Sequence, residues 1–256
     1  MTEQGILGAL QTRPAECDRH GEYESVMLNL DGQRWTGCPD CSAETIEQHQ
    51  AERDACQADE LRRMRGQAMF EASGVPRRMQ GATLKGYVSD SDEQAAAHRQ
   101  VCEYAKGLTE HLETGDGLVL MGNMGTGKTH LAVGLIRYVT RTLAVQAQYV
   151  TAPALFSRVR ASYSGNGETE AQILDELVAA PLLVIDEIGV GKGSDNELNL
   201  TYSLLGQRYD ACRPTVIITN LMSDDLRSWL GERVVDRLRE TSPVVLFNWE
   251  SYRGRS

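Results

Sequence analysis

The nonapeptide GNMGTGKTH, Gly122–His130, constrains this chain more than any other stretch. It satisfies G-x-x-x-x-G-K-[ST], with Gly122, Gly127, Lys128 and Thr129 at the fixed positions. The apolar run Leu118–Met121 precedes it, and LAVGLIRYV, apolar at helical spacing, follows it. That strand–loop–helix context is what the motif requires. Glycines let successive backbone N–H groups turn inward around a phosphate, and the next helix points its positive end at the same anion. Gly122, Asn123, Met124, Gly125, Thr126, Gly127, Lys128, Thr129 and His130 are therefore the candidates for holding ATP. Lys128 is placed to reach the β and γ phosphates, and the Thr129 hydroxyl to ligate Mg²⁺.

A second stretch supplies the complementary chemistry. LLVIDEI, Leu182–Ile188, reads as a buried parallel strand carrying two carboxylates at its carboxyl end. Ligands of open α/β sheets bind at that end. Asp186 is the candidate for the Mg²⁺ shell and Glu187 for orienting the attacking water.

In chain order the rest reads as alternating helices and strands. An irregular lead-in (77–88) precedes a helix over 92–113 capped by Ser91. After the phosphate loop come helix 129–142, strand 146–151, a helix opened by Pro153, a glycine break at 164–167 and helix 168–179. Three glycines in the six residues after Ile188 mark a loop, followed by helix 195–210. TVIITN, Thr215–Asn220, is a β-branched strand whose terminal Asn220 is either a polar sensor of the γ-phosphate or a strand-end turn residue. Helix 223–239, a last strand VVLFNW and a basic tail SYRGR close the chain. The expected fold is α/β: a P-loop NTPase core with a parallel sheet covered by helices on both faces.

The amino-terminal third has a different character. Cys17 and His20 are two residues apart, as are Cys38 and Cys41, with seventeen residues between the pairs. Two such knuckles suit one tetrahedral Zn²⁺. The segment between them reads as a hairpin turning at Asp31-Gly32, giving a zinc-ribbon-like module. The alternatives are a redox Cys-x-x-Cys, which lacks the surrounding βαβ pattern, and four unrelated surface residues. His49 and Cys56 are spare ligand candidates that fit a helix surface better. Residues 43–72 hold one glycine and no proline and read as one long polar helix or two shorter ones. Arg62, Arg63 and Arg65 on it are either a solvated face or a contact for DNA backbone or a partner. The expected division is a zinc-binding module over 1–45, a helical linker over 46–76 and an ATPase domain over 77–256.

Charge narrows the partners. The net charge is −10, and residues 1–60 carry 4 basic against 13 acidic side chains, so any nucleic-acid contact must be local. The acidic module points to a protein contact or to plain solvation. No apolar run approaches the ~18 residues of a membrane span, and no secretory signal is read at the start. Six cysteines beside a nucleotide site point to the cytoplasm rather than to a disulfide scaffold.

Five motifs, GNMGTGKTHLA, LLVIDEIGV, ITN, GERVVDRLRE and FNWESYRGR, occur in order. Together they resemble the AAA+ replicative helicase loaders of the DnaC type and, next, the IstB-like transposition ATPases, over roughly 68–256. The first 60 residues do not resemble the helical helicase-binding region of such loaders, which leaves the mode of docking open. The resemblance implies an arginine finger at Arg237, acting on the γ-phosphate of a neighbouring subunit, with Arg233 sharing that face. It implies a second sensor at Arg253, with Arg255 as runner-up. It also implies single-stranded DNA contacts at Tyr163, Ser194 and Asn196, helped by Lys192.

The implied function is ATP-dependent loading of a replicative hexameric helicase onto single-stranded DNA, using ATP, Mg²⁺ and Zn²⁺. It would proceed in a self-assembled oligomer in the bacterial cytoplasm, whether the gene is chromosomal or from a phage. The alternatives are an accessory ATPase of DNA transposition and a zinc-module adaptor with an ATP switch.

Overall fold

The computed structural model describes residues 11–29, 33–165, 167–191 and 193–252. The chain divides into two units, Met1–Leu61 and Arg62–Ser256.

In the first unit three strands form an antiparallel meander: β1 (Thr12–Cys17), β2 (Gly21–Asn29) and β3 (Gln33–Trp35). β2 and β3 are the expected hairpin, pairing from Met27 opposite Trp35 to Asn29 opposite Gln33. Its expected Asp31-Gly32 turn lies outside the described residues. β1 is an addition, pairing with β2 from Thr12 opposite Val26 to Cys17 opposite Gly21. Its Pro14 is tolerated because β1 is an edge strand. The turn between β1 and β2 carries His20, three residues after Cys17. Helix α1 (Pro39–Glu71) then begins with proline at its first position, where the missing N–H is harmless. It is one helix, and it starts four residues before the expected polar stretch, so Cys41 falls in its first turn. Among the described residues of this unit, Cys38 is the only buried apolar side chain.

The second unit is built on five parallel strands: β4 (Leu118–Gly122), β5 (Ala147–Thr151), β6 (Leu182–Ile188), β7 (Thr215–Thr219) and β8 (Val244–Phe247). They lie in the order β5-β6-β7-β4-β8. β7 thus separates the strand leading into the phosphate loop from the strand carrying Asp186. Alternation along the strands sorts the core onto two faces. Leu118, Leu120, Val184, Val216, Ile218 and Phe247 pack on one side with α2 (Asp92–Lys106) and α4 (Lys128–Thr142). Val119, Met121, Leu183, Ile185 and Ile217 pack on the other. That side holds α5 (Ala152–Ser162), α6 (Glu170–Ala179), α7 (Asp195–Asp210), α8 (Ser223–Leu230) and α9 (Glu232–Thr241). The result is the three-layer α/β architecture expected.

Two expected helices are each broken once. The helix over 92–113 stops at Gly107 and resumes as α3 (Leu108–Thr114), where the Tyr104 and His111 rings stack at 4.4 Å across the joint. The helix over 223–239 is split into α8 and α9 by Gly231, at φ +79° and ψ 156°. Interior glycines weaken a helix enough for packing to choose the break. The lead-in holds a short 3₁₀ turn, Arg77–Met79, and lies along α4. There Ala82 O accepts from Arg137 Nε and Thr83 O from His130 Nε2. Among the described residues no helix is long and apolar enough to cross a membrane.

Candidate nucleotide site and metal cluster

The phosphate loop leaves the carboxyl end of β4, an interior strand between β7 and β8. Lys128 and Thr126 are buried within it, while Met124 is exposed. Leu131 N–H donates to Gly127 O at 3.0 Å as the first intrahelical bond of α4. Helix α4 thus begins at the loop itself, with its positive amino-terminal end there, the arrangement that receives an anion. Lys128 Nζ donates to Gly122 O at 2.7 Å and Asn123 O at 2.5 Å, which holds the ammonium at the loop. The His130 ring is turned away, onto Thr83 O at 3.0 Å, so its backbone is what it can offer a phosphate.

Two flanking segments brace the loop from outside. Thr126 O accepts from the Tyr87 hydroxyl and from Trp249 Nε1, both at 3.2 Å. Tyr252 N–H donates to Gly125 O at 2.9 Å and Asn123 N–H to Phe247 O at 2.8 Å. Gly127 sits at φ +97°, and a Cβ there would lie 2.6 Å from the Tyr87 ring, so glycine is required on both counts. Burial pushes the Tyr87 phenol up to about 12, so it stays a donor. Neither Tyr87 nor Trp249 was singled out from the sequence, because each meets the loop across a long sequence separation.

Asp186 is buried at the end of β6. Its Oδ2 accepts from the Thr129 hydroxyl and the Tyr149 hydroxyl, each at 2.8 Å, and its Oδ1 accepts from Glu187 N–H at 2.7 Å. A hydroxyl and a carboxylate side by side next to the phosphate loop are hard oxygen donors of the kind Mg²⁺ takes. Glu187 follows at φ +61°, exposed, inside a bulge: Ile185 pairs with Ile217, but Ile188 pairs with Thr219. The extra residue breaks the strand's alternation at that point, and Glu187 is left exposed. Thr219 Oγ1 donates to Ile188 O at 2.8 Å and fixes the far side of that bulge. Asn220 is exposed immediately after β7.

Arg237 stands elsewhere. Its guanidinium lies 4.7 Å over the Tyr209 ring and 3.4 Å from Asp210 Oδ1. It lines a small cavity with Gly115, Thr215 and Ser242, residues at the amino-terminal ends of β4, β7 and β8. That is the sheet edge opposite the phosphate loop. Arg233 is exposed one turn earlier. Tyr163 is exposed, with its hydroxyl donating to Glu170 Oε2 at 2.6 Å, and is not packed on the sheet. Ser194 caps α7 in a reciprocal box with Glu197, and Asn196 is exposed in the first turn. Lys192, Arg253 and Arg255 lie outside the described residues.

In the first unit, ligand atoms of Cys17, His20, Cys38 and Cys41 all lie within 4.8 Å of one another. His20 Nδ1 is 3.7, 3.6 and 3.3 Å from the sulfurs of Cys17, Cys38 and Cys41. Ligands about 2.0–2.3 Å from a shared tetrahedral ion have separations of this order, so the set fits Zn²⁺. The backbone N–H groups of Arg19 and His20 pull the Cys17 thiol down to about 6, and the bond to Cys17 pushes Cys41 up to about 11. Glu44 Oε1 accepts from His20 Nε2–H at 3.1 Å, which leaves Nδ1 to face the thiols. Glu44 was not singled out from the sequence. His49 and Cys56 are exposed on α1, away from the cluster.

The fold and the phosphate loop together define a P-loop NTPase core of the AAA+ class. Residues 50–256 match the family described as IstB-like ATP binding protein. The replicative helicase loader DnaC of Escherichia coli (strain K12) is 30% identical over 204 residues, covering 79% of this chain and 82% of that protein. The crystal structure of the DnaC helicase loader superposes with a TM-score of 0.63 at 25% identity, over 68% of this chain and 100% of the other. The crystal structure of DnaI shares the fold, with a TM-score of 0.57 at 22% identity over 70% and 94%. The chain belongs to the DnaC/IstB-like family of ATP binding proteins. Its Cys/His cluster precedes the residues matched by that family.

Proposed function

We propose that this chain is an ATPase that loads a replicative hexameric helicase onto single-stranded DNA. The observation that carries the reading is the separation within one domain of two halves of an ATPase site. The phosphate loop, Asp186 and Glu187 occupy one edge of the sheet and Arg237 the other. An arginine so placed serves a neighbour's nucleotide rather than its own, and the likeness to a named helicase loader supplies the task.

In this reading Lys128 and the backbone N–H groups of the loop bind the β and γ phosphates. Thr129 and Asp186 would hold Mg²⁺, which neutralises phosphate charge when bound. Glu187 orients the attacking water, Asn220 senses the γ-phosphate, and Arg237 arrives from the adjacent subunit with Arg233 beside it. Arg253 contacts the nucleotide in its own subunit. Hydrolysis to ADP and phosphate drives conformational change in a bacterial cytoplasmic assembly. Tyr163, Lys192, Ser194 and Asn196 contact single-stranded DNA. The exposed ring of Tyr163 suits base stacking, and the 2.7 Å Arg160–Glu197 ion pair ties α5, which ends beside Tyr163, to the start of α7. The zinc-binding module (1–45), with the helical linker (46–76) joining it to the ATPase domain (77–256), is the helicase-docking element.

Native mass spectrometry with a bacterial replicative helicase tests this. A helicase hexamer carrying several copies of this chain in ATP is the expected result, and no complex in any nucleotide state would overturn it. E187Q should keep ATP binding and lose at least about a hundredfold in turnover, by analogy with removing a water-positioning or catalytic-base group. Normal hydrolysis by E187Q would remove Glu187 from the mechanism. The family description favours one second reading, an accessory ATPase of DNA transposition. That reading predicts ATP-dependent assembly on duplex DNA without helicase.

A further inference from the structure

The reading above leaves unexplained why a tyrosine from the edge strand is bonded to the buried carboxylate. Tyr149 and Thr151 lie on β5, paired with Val184 and Asp186 of β6. Tyr149 is therefore two residues behind the register partner of Asp186 and on the same face of the sheet. Two strand residues span roughly 6.6 Å, about the reach of a tyrosine from Cα to hydroxyl, so the phenol runs along the strand and ends at the carboxylate. Its oxygen is 2.8 Å from Asp186 Oδ2. Tyr149 is 9% and Asp186 5% exposed, so this bond has little competition from solvent.

The strand itself is anchored at that residue, because Tyr149 N–H donates to Ser73 O at 2.7 Å.

We propose that Tyr149 is a positioning residue for the divalent-cation site. It holds the Asp186 carboxylate in the rotamer that faces Thr129, and so sets the affinity for Mg²⁺ rather than for the nucleotide. The geometry distinguishes it from Thr129. Both hydroxyls donate to Oδ2, but Thr129 is the residue at the phosphate loop, and its oxygen is the one offered to a cation. When Thr129 turns its oxygen to the ion, Tyr149 and the Glu187 N–H remain as the fixed donors to Asp186. The proposal rests on the assignment of Thr129 and Asp186 to Mg²⁺.

The test is Y149F in the full chain, which removes one oxygen and keeps the ring. Binding of a fluorescent ATP analogue would be measured in EDTA and then titrated with MgCl₂, with steady-state turnover and thermal melting in parallel. The expected result is unchanged binding in EDTA, a half-saturating Mg²⁺ concentration raised about tenfold, and recovery at high Mg²⁺. At fixed low Mg²⁺, kcat should fall with KM for ATP nearly constant. A Y149F variant that melts normally and titrates with Mg²⁺ like the parent would overturn the proposal. A variant that melts early but titrates normally would also overturn it, by assigning Tyr149 to packing alone. T129A separates the two levels: if T129A also leaves the Mg²⁺ titration unmoved, it is the assignment of the cation site that fails.

Discussion

The two units of this chain are stabilised in opposite ways. The carboxy-terminal unit buries apolar side chains on both faces of a five-stranded sheet. The amino-terminal unit, among its described residues, buries one apolar side chain, and that one is the cysteine Cys38. Its strands are bordered by single contacts such as the Arg13 guanidinium 4.3 Å over Trp35 and the Ser25 hydroxyl on Thr36 O. A meander with so little core cannot offset the entropy of ordering its backbone. On the zinc assignment, a shared ion supplies much of what draws Cys17, His20, Cys38 and Cys41 together. One unit is specified by hydrophobic periodicity over many residues, the other by four side chains.

The sharpest way to break that comparison is to remove the metal. Chelation, or C38A, should abolish hydrogen-exchange protection over residues 12–29 and 33–35, since zinc binding supplies on the order of 10 kcal/mol in small zinc modules. The melting temperature of the ATPase unit should stay within about 2 °C. Retained protection without zinc would show that the meander has a sufficient core after all. The converse experiment is L135A, which empties a fully buried site in α4. It should destabilise the second unit by about 2–5 kcal/mol while zinc stoichiometry stays at one per chain. A smaller effect is expected at the edge of the metal cluster. E44Q keeps the shape of the Glu44 side chain but weakens its hold on the His20 ring, and should lower zinc affinity about tenfold in a competition assay. An unchanged affinity would confine the design of the site to its four ligands.

The sequence disclosed most where function demands residue types at short fixed spacings. The phosphate loop, the strand carrying Asp186 and Glu187, and the two knuckles Cys17–His20 and Cys38–Cys41 were readable because each is a local pattern. The parallel sheet followed from alternation of apolar runs. Composition places the start of α1 too late, because the helix opens at Pro39, ahead of the polar stretch. β1 was missed because Pro14 and its charged neighbours hide an edge strand. Gly107 and Gly231 divide helices whose side-chain periodicity continues across the break. The supporting residues of the nucleotide site were out of reach for another reason. Tyr87 and Trp249 meet at one carbonyl, and Tyr149 meets Asp186, only after the sheet is assembled. In the sequence each is an ordinary aromatic in a strand or a loop.

The bulge at Glu187 has a consequence for stability. A non-glycine residue held in the left-handed region destabilises the folded state by roughly 1–3 kcal/mol, and the surrounding sheet must absorb it. Glycine would sit there without that strain. On the proposed chemistry, the fold and the turnover therefore make opposing demands on a single position, and the chain is less heat-tolerant than its own scaffold permits. A laboratory selection for thermal tolerance alone would favour E187G and leave a sturdier protein that no longer hydrolyses ATP.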